Sequence, residues 1–261
     1  MPKLIQETQQ LLDDAKVDSA ATKIGIVKQM CPRSQAVNEL AELVAEAVGR
    51  RDELAQDVRA LIALGDFSAA LGAVDQSLKE FPQDLTLLAI RRDAVDKPAM
   101  ISARHDEVTK HLNEAQFESA TRELKSLLRV CPNAPAMQRL ADHVSQVQRK
   151  YPDLKSSSQQ QLSRAQFTQA QKDADAARAL CPDSVWAQTF ARTIAQSARQ
   201  YPALVAEGKD KLDQASFSEA RDKFEKTRAV CPDAAEVLRL QASLPPTVSY
   251  THLTLPTICS V

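Results

Sequence analysis

Apolar residues between Pro32 and Gly65 fall at Val37, Leu40, Val44, Val48, Leu54, Val58 and Leu61, three, four or six positions apart. That spacing follows one face of an α-helix and not the alternation of a half-buried strand. Gly49 is the only breaker in the stretch, which therefore predicts a single helix of about thirty residues, roughly 45 Å long at 1.5 Å per residue. Beyond Gly65 the apolar positions continue at Phe67, Ala70 and Val74 and end at Phe81–Pro82. Proline removes a backbone donor and restricts the residue before it, so a short helix of about fourteen residues stops there.

The same plan returns along the chain. Pro32, Pro82, Pro132, Pro182 and Pro232 follow Cys or Phe at intervals of fifty residues without an insertion. In that register the chain divides into five copies, 1–50, 51–100, 101–150, 151–200 and 201–246, each built of one long and one short helix.

The columns of the repeat have physical meaning. Leu12, Ile62, Leu112, Leu162 and Leu212 keep an aliphatic residue near the end of a long helix, and Ala15, Gly65, Ala115, Ala165 and Ala215 keep the following turn small. Val17, Phe67, Phe117, Phe167 and Phe217 open the short helix with a large apolar anchor. Three residues later Ala20, Ala70, Ala120, Ala170 and Ala220 let two backbones approach. Large side chains set against small ones are what interdigitating helices require. Ile24, Val74, Leu124, Ala174 and Phe224 extend the same face. Cys131, Cys181 and Cys231, with Cys31, share the helix-ending column with Phe81, so that column selects for apolar burial, where a free thiol acts as a small hydrophobe.

The bulky residue at the turn, the Ala three residues on and the helix-ending Pro twelve residues after it, as in Phe217, Ala220 and Pro232, resemble the tetratricopeptide repeat. The resemblance implies a helix-turn-helix unit that stacks on its neighbours and presents a surface to another protein. The family's period is 34, and its bulky first-helix residues have no consistent counterpart here: Leu11, Leu61, His111, Gln161 and Lys211 share one column. A long-period relative is the reading. Because the short helix returns half the distance that the long one advances, the expectation is an all-α, elongated repeat with helices shared between overlapping three-helix bundles, as in spectrin topology. Pro98, Pro152 and Pro202 sit near the middle of the later long segments and predict a kink or short break there. With full breaks the alternative is three helices per copy in a tighter solenoid.

Composition narrows the function. Gly is low (5 residues), aromatics make up 4%, and 33 basic residues balance 34 acidic ones for a net charge of -1. That balance lacks the basic footprint of a nucleic-acid binder. No run of 18 uncharged apolar residues and no signal-peptide core occurs, so no membrane partner and a cytoplasmic location are expected. The cysteines show no CxxC or CxH spacing and the histidines no HxxxH, so no metal site is expected; His105 and His111, six apart, do not share a helix face. No GxSxG, P-loop or GxGxxG is present, and carboxylates alternate with Lys and Arg as on a solvated helix face. No cofactor and no catalytic residue is assigned. Trp186, just past a helix start, is expected to make a staple-like contact or, if exposed, to be an interface hot spot.

The last residues break the pattern. Val248 to Val261 contains no Asp, Glu, Lys or Arg, although these types form 26% of the chain. V-S-Y-T-H-L-T-L-P-T is the translation of GTC TCT TAT ACA CAT CTG ACG CTG CCG ACG, which resembles the transposon-end adapter used in preparing sequencing libraries. A short barcode would encode Ile258, Cys259 and Ser260, and a fixed segment Val261 and a stop. The expectation is that 247–261 is adapter-derived and that the native reading frame continues past about Pro246. Sequencing the source locus across that codon decides it.

The leading functional expectation is a non-enzymatic interaction scaffold whose grooves bind an unidentified protein or peptide, marked by an exposed apolar or charged strip repeated along one face. The alternatives are a structural spacer that self-associates through its helical faces, and the regulatory arm of an enzyme encoded downstream, by analogy with bacterial signalling enzymes that carry long helical repeats.

Overall fold

The computed structural model describes residues 2–246; the expected adapter-derived tail, 247–261, lies outside them. Among the described residues are eleven α-helices and no strand. They are α1 (Pro2–Asp13), α2 (Val17–Met30), α3 (Gln35–Leu64), α4 (Phe67–Glu80), α5 (Leu85–Asn113), α6 (Phe117–Val130), α7 (Pro135–Ser163), α8 (Phe167–Leu180), α9 (Val185–Asp213), α10 (Phe217–Val230) and α11 (Ala235–Ala242). Short helices of 14 residues alternate with long ones of 29 or 30. Pro98, Pro152 and Pro202 lie inside α5, α7 and α9 without ending them, so the three-helix alternative does not hold. Pro152 and Pro202 are exposed, where water can reach the carbonyls that the missing N–H groups leave free.

Each joint from a long helix to a short one is a Schellman turn. In the second copy the Asp66 amide donates to Leu61 O at 3.0 Å and the Gly65 amide to Ile62 O at 2.9 Å. The same pair recurs from Lys16 and Ala15, Gln116 and Ala115, Gln166 and Ala165, and Ser216 and Ala215. The motif requires a left-handed residue, and four copies place alanine there, at φ 57°, 60°, 60° and 56°. The small column of the sequence is thus a column of positive φ.

The chain divides into two compact units, one up to Val147 and one from Gln148. In the first, Val37, Leu40 and Val44 of α3 pack with Ala20, Ile24 and Val27 of α2 and with α1. Further along, Ala55, Val58 and Ile62 of the same helix pack with Ala70 and Val74 of α4 and with Leu87, Ile90 and Ala94 of α5. One long helix therefore serves two three-helix cores. In the second unit α9 does the same: Ile194 joins Leu162, Ala170 and Ala174, and Tyr201 and Val205 join Phe224, Cys231 and Val237.

Within these cores Ala20, Ala70, Ala120, Ala170 and Ala220 are all 0% exposed. The anchor column is more varied: Val17 is buried, Phe67, Phe117 and Phe167 are half-buried, and Phe217 is 41% exposed. Phe167 meets Tyr201 edge-on, with centroids 5.7 Å apart; the position one period after Tyr201 is Thr251, outside the described residues. Volume is also traded between columns. Phe224 is fully buried because Gly208 faces it; a Cβ there would lie 2.4 Å from the ring. The preceding copies set Ser158 and Val108 at the glycine position and Ala174 and Leu124 at the phenylalanine position.

Candidate interaction surface

Two sets of copy-specific side chains stand out from this common frame, one buried at the middle of the long helix and one on its surface. At the waist of α3, Arg51 is 8% exposed by side chain and donates from Nη1 to Asp84 Oδ2 at 2.9 Å and to Asp18 Oδ1 at 3.0 Å. Its Nε donates to Asp52 Oδ1 at 2.7 Å. Asp84 is the N-cap of α5 and also accepts the Leu87 amide at 2.9 Å, so a single side chain fastens α2, α3 and the start of α5. Burial alone pulls the guanidinium pKa down; hydrogen bonds to Asp84, Asp18 and Asp52 more than offset this and hold it above its ordinary value. A pocket of about 100 Å³ opens beside the cluster, lined in part by Lys16, Asp18, Gln83 and Asp84.

One hundred residues on, the same waist position is Tyr151 and the same N-cap is Ser184, whose hydroxyls share a hydrogen bond at 2.5 Å. Trp186 meets Tyr151 edge-on at 6.0 Å, stacks on Phe190 at 4.8 Å and lies under Lys155 Nζ at 5.4 Å. It is half-buried in this cluster, with its neighbours filled by its own unit.

The surface set lies in the groove between a short helix and the first half of the next long one. Between α8 and α9 this groove is lined by Gln171, Arg178, Pro182, Gln188, Ala191, Arg192 and Ala195. The equivalent positions between α4 and α5 are Leu71, Leu78, Pro82, Leu88, Arg91, Arg92 and Val95. Leu71 and Leu78 are partly buried against the core, while Leu88 is 42% and Val95 51% exposed. Leu85, one turn before Leu88, is 77% exposed. The charges around them are already paired: Arg91 with Asp75 at 2.7 Å across the groove, Arg92 with Asp96 at 3.4 Å and Lys97 with Asp93 at 2.6 Å. The first copy has Ala21, Lys28, Asn38 and Ala45 here, and the third Thr121, Leu128, Gln138 and Ser145. The fifth has Arg221, Arg228, Leu238 and Pro245, so single leucines recur at Leu128 and Leu238, but all four positions are aliphatic in the second copy alone and the lining does not repeat as a strip.

Cys131, Cys181 and Cys231 are buried and Cys31 is half-buried; none forms a disulfide. Burial raises the thiol pKa of Cys131, and that of Cys231 to about 11. Their turns close the ends of long helices. Cys131 Sγ donates to Ile62 O at 3.3 Å and the Asn133 amide to Ala63 O at 3.1 Å; the Asp233 amide reaches Ser163 O at 2.9 Å. The Ala63 and Ser163 carbonyls at these helix ends are thus satisfied by a turn seventy residues away.

His105 lies 3.7 Å from Asp106, and His111 shares a 2.8 Å hydrogen bond with Gln116. Among the described residues no group of three His, Cys, Asp or Glu side chains is arranged to hold a metal, and no helix is long and apolar enough to cross a membrane. Sequence reasoning missed the Arg51 cluster and the leucine groove, because both are departures from column consensus and not part of it. No protein-family model, no curated protein and no solved structure matches the chain.

Proposed function

We propose that the chain is a non-enzymatic protein-interaction scaffold of tetratricopeptide-like repeats, and that its docking face is the α4–α5 groove. The observation that carries this reading is that Leu71, Leu78, Leu88 and Val95 are aliphatic together in the second copy alone, with Leu88, Val95 and the neighbouring Leu85 exposed, whereas the other copies set at least two polar residues or a proline among the same four positions. Leu71 and Leu78 on one side and Leu88 and Val95 on the other are each seven residues apart. Two parallel rows with that repeat match the apolar stripe of a third helix. The rim charges are neutralised within the chain, so the partner is an amphipathic helix of another protein, docking by its apolar face and not by net charge. Four cysteines without disulfides fit a reducing compartment, the cytoplasm.

A photo-crosslinking residue placed at position 88 of the full chain should capture a defined partner, and one at position 188 should not. Leu88→Asp combined with Val95→Asp should keep the unfolding midpoint, since both sites are exposed, and abolish that capture. Capture equal at both positions, or a partner retained by the double variant, defeats the reading. Capture of a second copy of the chain would replace it with self-association.

A further inference from the structure

The five copies share a period, an invariant buried alanine and a common turn. Any N-cap turn is therefore close in shape to the seat of any other. Slipping by fifty or a hundred residues would keep the alanine and aliphatic columns in place, and so would exchanging copies between two chains. An array of near-equivalent units is prone to such misassembly unless something distinguishes them.

The waist and N-cap positions do distinguish them. Down the chain the waist reads Arg51, Ile101, Tyr151 and Tyr201, and the N-cap that follows 33 residues later reads Asp84, Ala134, Ser184 and Ala234. Arg51 meets Asp84 and Tyr151 meets Ser184; Tyr201 shares a core with Ala234. Arg51 has a carboxylate cap and Tyr151 a hydroxyl cap, while Ile101 and Tyr201 are followed by alanine caps, so the charged pair occurs at one joint alone. We infer that residues 51 and 84 form a register key, a buried matched pair that admits the second copy's turn to the α3 waist and rejects the turn of every other copy.

The chemistry is asymmetric. Seated at Arg51, Ser184 would offer a hydroxyl in place of a carboxylate, and Ala134 or Ala234 would offer no acceptor side chain. Asp18 and Asp52, 64% and 62% exposed by side chain, would be left as the only counter-charges to a guanidinium that is itself buried. Seated at Ile101, Asp84, whose side chain is 2% exposed, would be a carboxylate buried against hydrocarbon. Replacing both members of a buried ion pair costs far less than removing one and leaving the other charge buried. Use of a buried polar pair to fix register has the single buried asparagine of coiled coils as its precedent.

The test gives the first waist the chemistry of the third, in the full chain, by Arg51→Tyr together with Asp84→Ser. Each single change should lower the denaturation midpoint clearly, and the double change should recover most of the loss. The key predicts more than this coupling: with two identical joints in one chain, refolding at high concentration should give several-fold more dimer and larger species than the unmodified protein, read by light scattering on a sizing column. The reciprocal pair, Tyr151→Arg with Ser184→Asp, makes the two joints identical in the other sense and should do the same, which keeps the test open if the first variant does not fold. Monomer yields equal to the unmodified protein from a folded double variant overturn the inference, as do single variants with unchanged midpoints.

Discussion

The α4–α5 and α8–α9 grooves rest on equivalent backbone positions, yet the first is lined by Leu71, Leu78, Leu88 and Val95 and the second by Gln171, Arg178, Gln188 and Ala195. The waists beneath them differ in the same way, an ion cluster around Arg51 in one and a Tyr151–Ser184 hydrogen bond in the other. Both pairs sit on an unchanged scaffold of buried alanine, Schellman turn and helix-ending cysteine or phenylalanine. Positions that stay constant build the bundle, and positions that vary within the frame are free to specify what each copy does.

The largest effect should come from breaking the two waists in parallel. Asp84→Ala takes the one buried counter-charge from a guanidinium whose side chain is 8% exposed, leaving it the exposed Asp18 and Asp52, and also removes the cap of α5, so a loss of about 2–4 kcal/mol is expected. Ser184→Ala leaves a neutral phenol hydroxyl with one fewer partner and should cost about 1 kcal/mol. Equal losses in chemical denaturation would show that the two waists are energetically alike despite their chemistry.

Next in size is the core exchange at the end of the second unit. Gly208→Val would drive side-chain carbon into the Phe224 ring, where even a Cβ would lie 2.4 Å away, and overpacking of this kind costs about 1–3 kcal/mol. The first unit holds Val58 and Val74 at the equivalent positions. Phe224→Val added to Gly208→Val should therefore recover much of the loss. A double variant no better than the single would mean that the columns do not trade volume.

That exchange illustrates what was legible in the sequence and what was not. The helices, the fifty-residue period and the alanine column follow from spacing alone, since packing of helices demands them locally. Of the kink or short break expected at Pro98, Pro152 and Pro202, the break does not occur: α5, α7 and α9 run through, and at the exposed Pro152 and Pro202 water can reach the freed carbonyls. The Cys column read as apolar burial; its contact with a helix end about seventy residues earlier had no local signal, because it depends on how overlapping bundles bring a turn to a distant terminus. Arg51 read as one charge in the mixed run RRDEL, and only the fold places it beside Asp84. Leu85, Leu88 and Val95 carried no signal of their own, and the fold shows them exposed because the first half of α5 turns Leu87, Ile90 and Ala94 into the core instead.

The buried thiols give a pH dependence of known sign. Burial holds the Cys231 pKa at about 11 against an ordinary 9.0. A raised pKa favours the neutral form in the folded state, so its contribution is fully present below pH 9 and is lost as the pH rises through about 11. Tyr151 and Tyr201, also raised by desolvation, act in the same direction at the same end of the scale. The unfolding midpoint should therefore fall as the pH climbs from 9 towards 11, and less steeply in Cys231→Ala, measured relative to that variant's own neutral-pH value. Of the four described cysteines, thiol labelling at neutral pH should modify Cys31 first and leave Cys131, Cys181 and Cys231 slow until the protein unfolds; fast labelling of these three, located by peptide mapping, would contradict their burial.

The smallest effect separates the copies by their turns. Ala215 holds φ 56°, a region where an L side chain costs about 1–2 kcal/mol relative to glycine. Glycine there would relieve that cost but would also loosen the unfolded chain by about 0.4–1 kcal/mol. Ala215→Gly should thus stabilise the protein by about 0.5–1 kcal/mol, since Ala215 is exposed and has little packing to lose. Gly65 is the reverse case. Its φ is 79°, and a Cβ there would meet the Ala134 Cβ at 3.2 Å, closer than ordinary contact. Gly65→Ala should therefore destabilise by about 1–2 kcal/mol, with thermal or denaturant unfolding showing opposite shifts for the two changes. Shifts of the same sign would mean that the turn's backbone relaxes around its side chain, and that glycine at position 65 answers to the neighbouring α7 start more than to the turn itself.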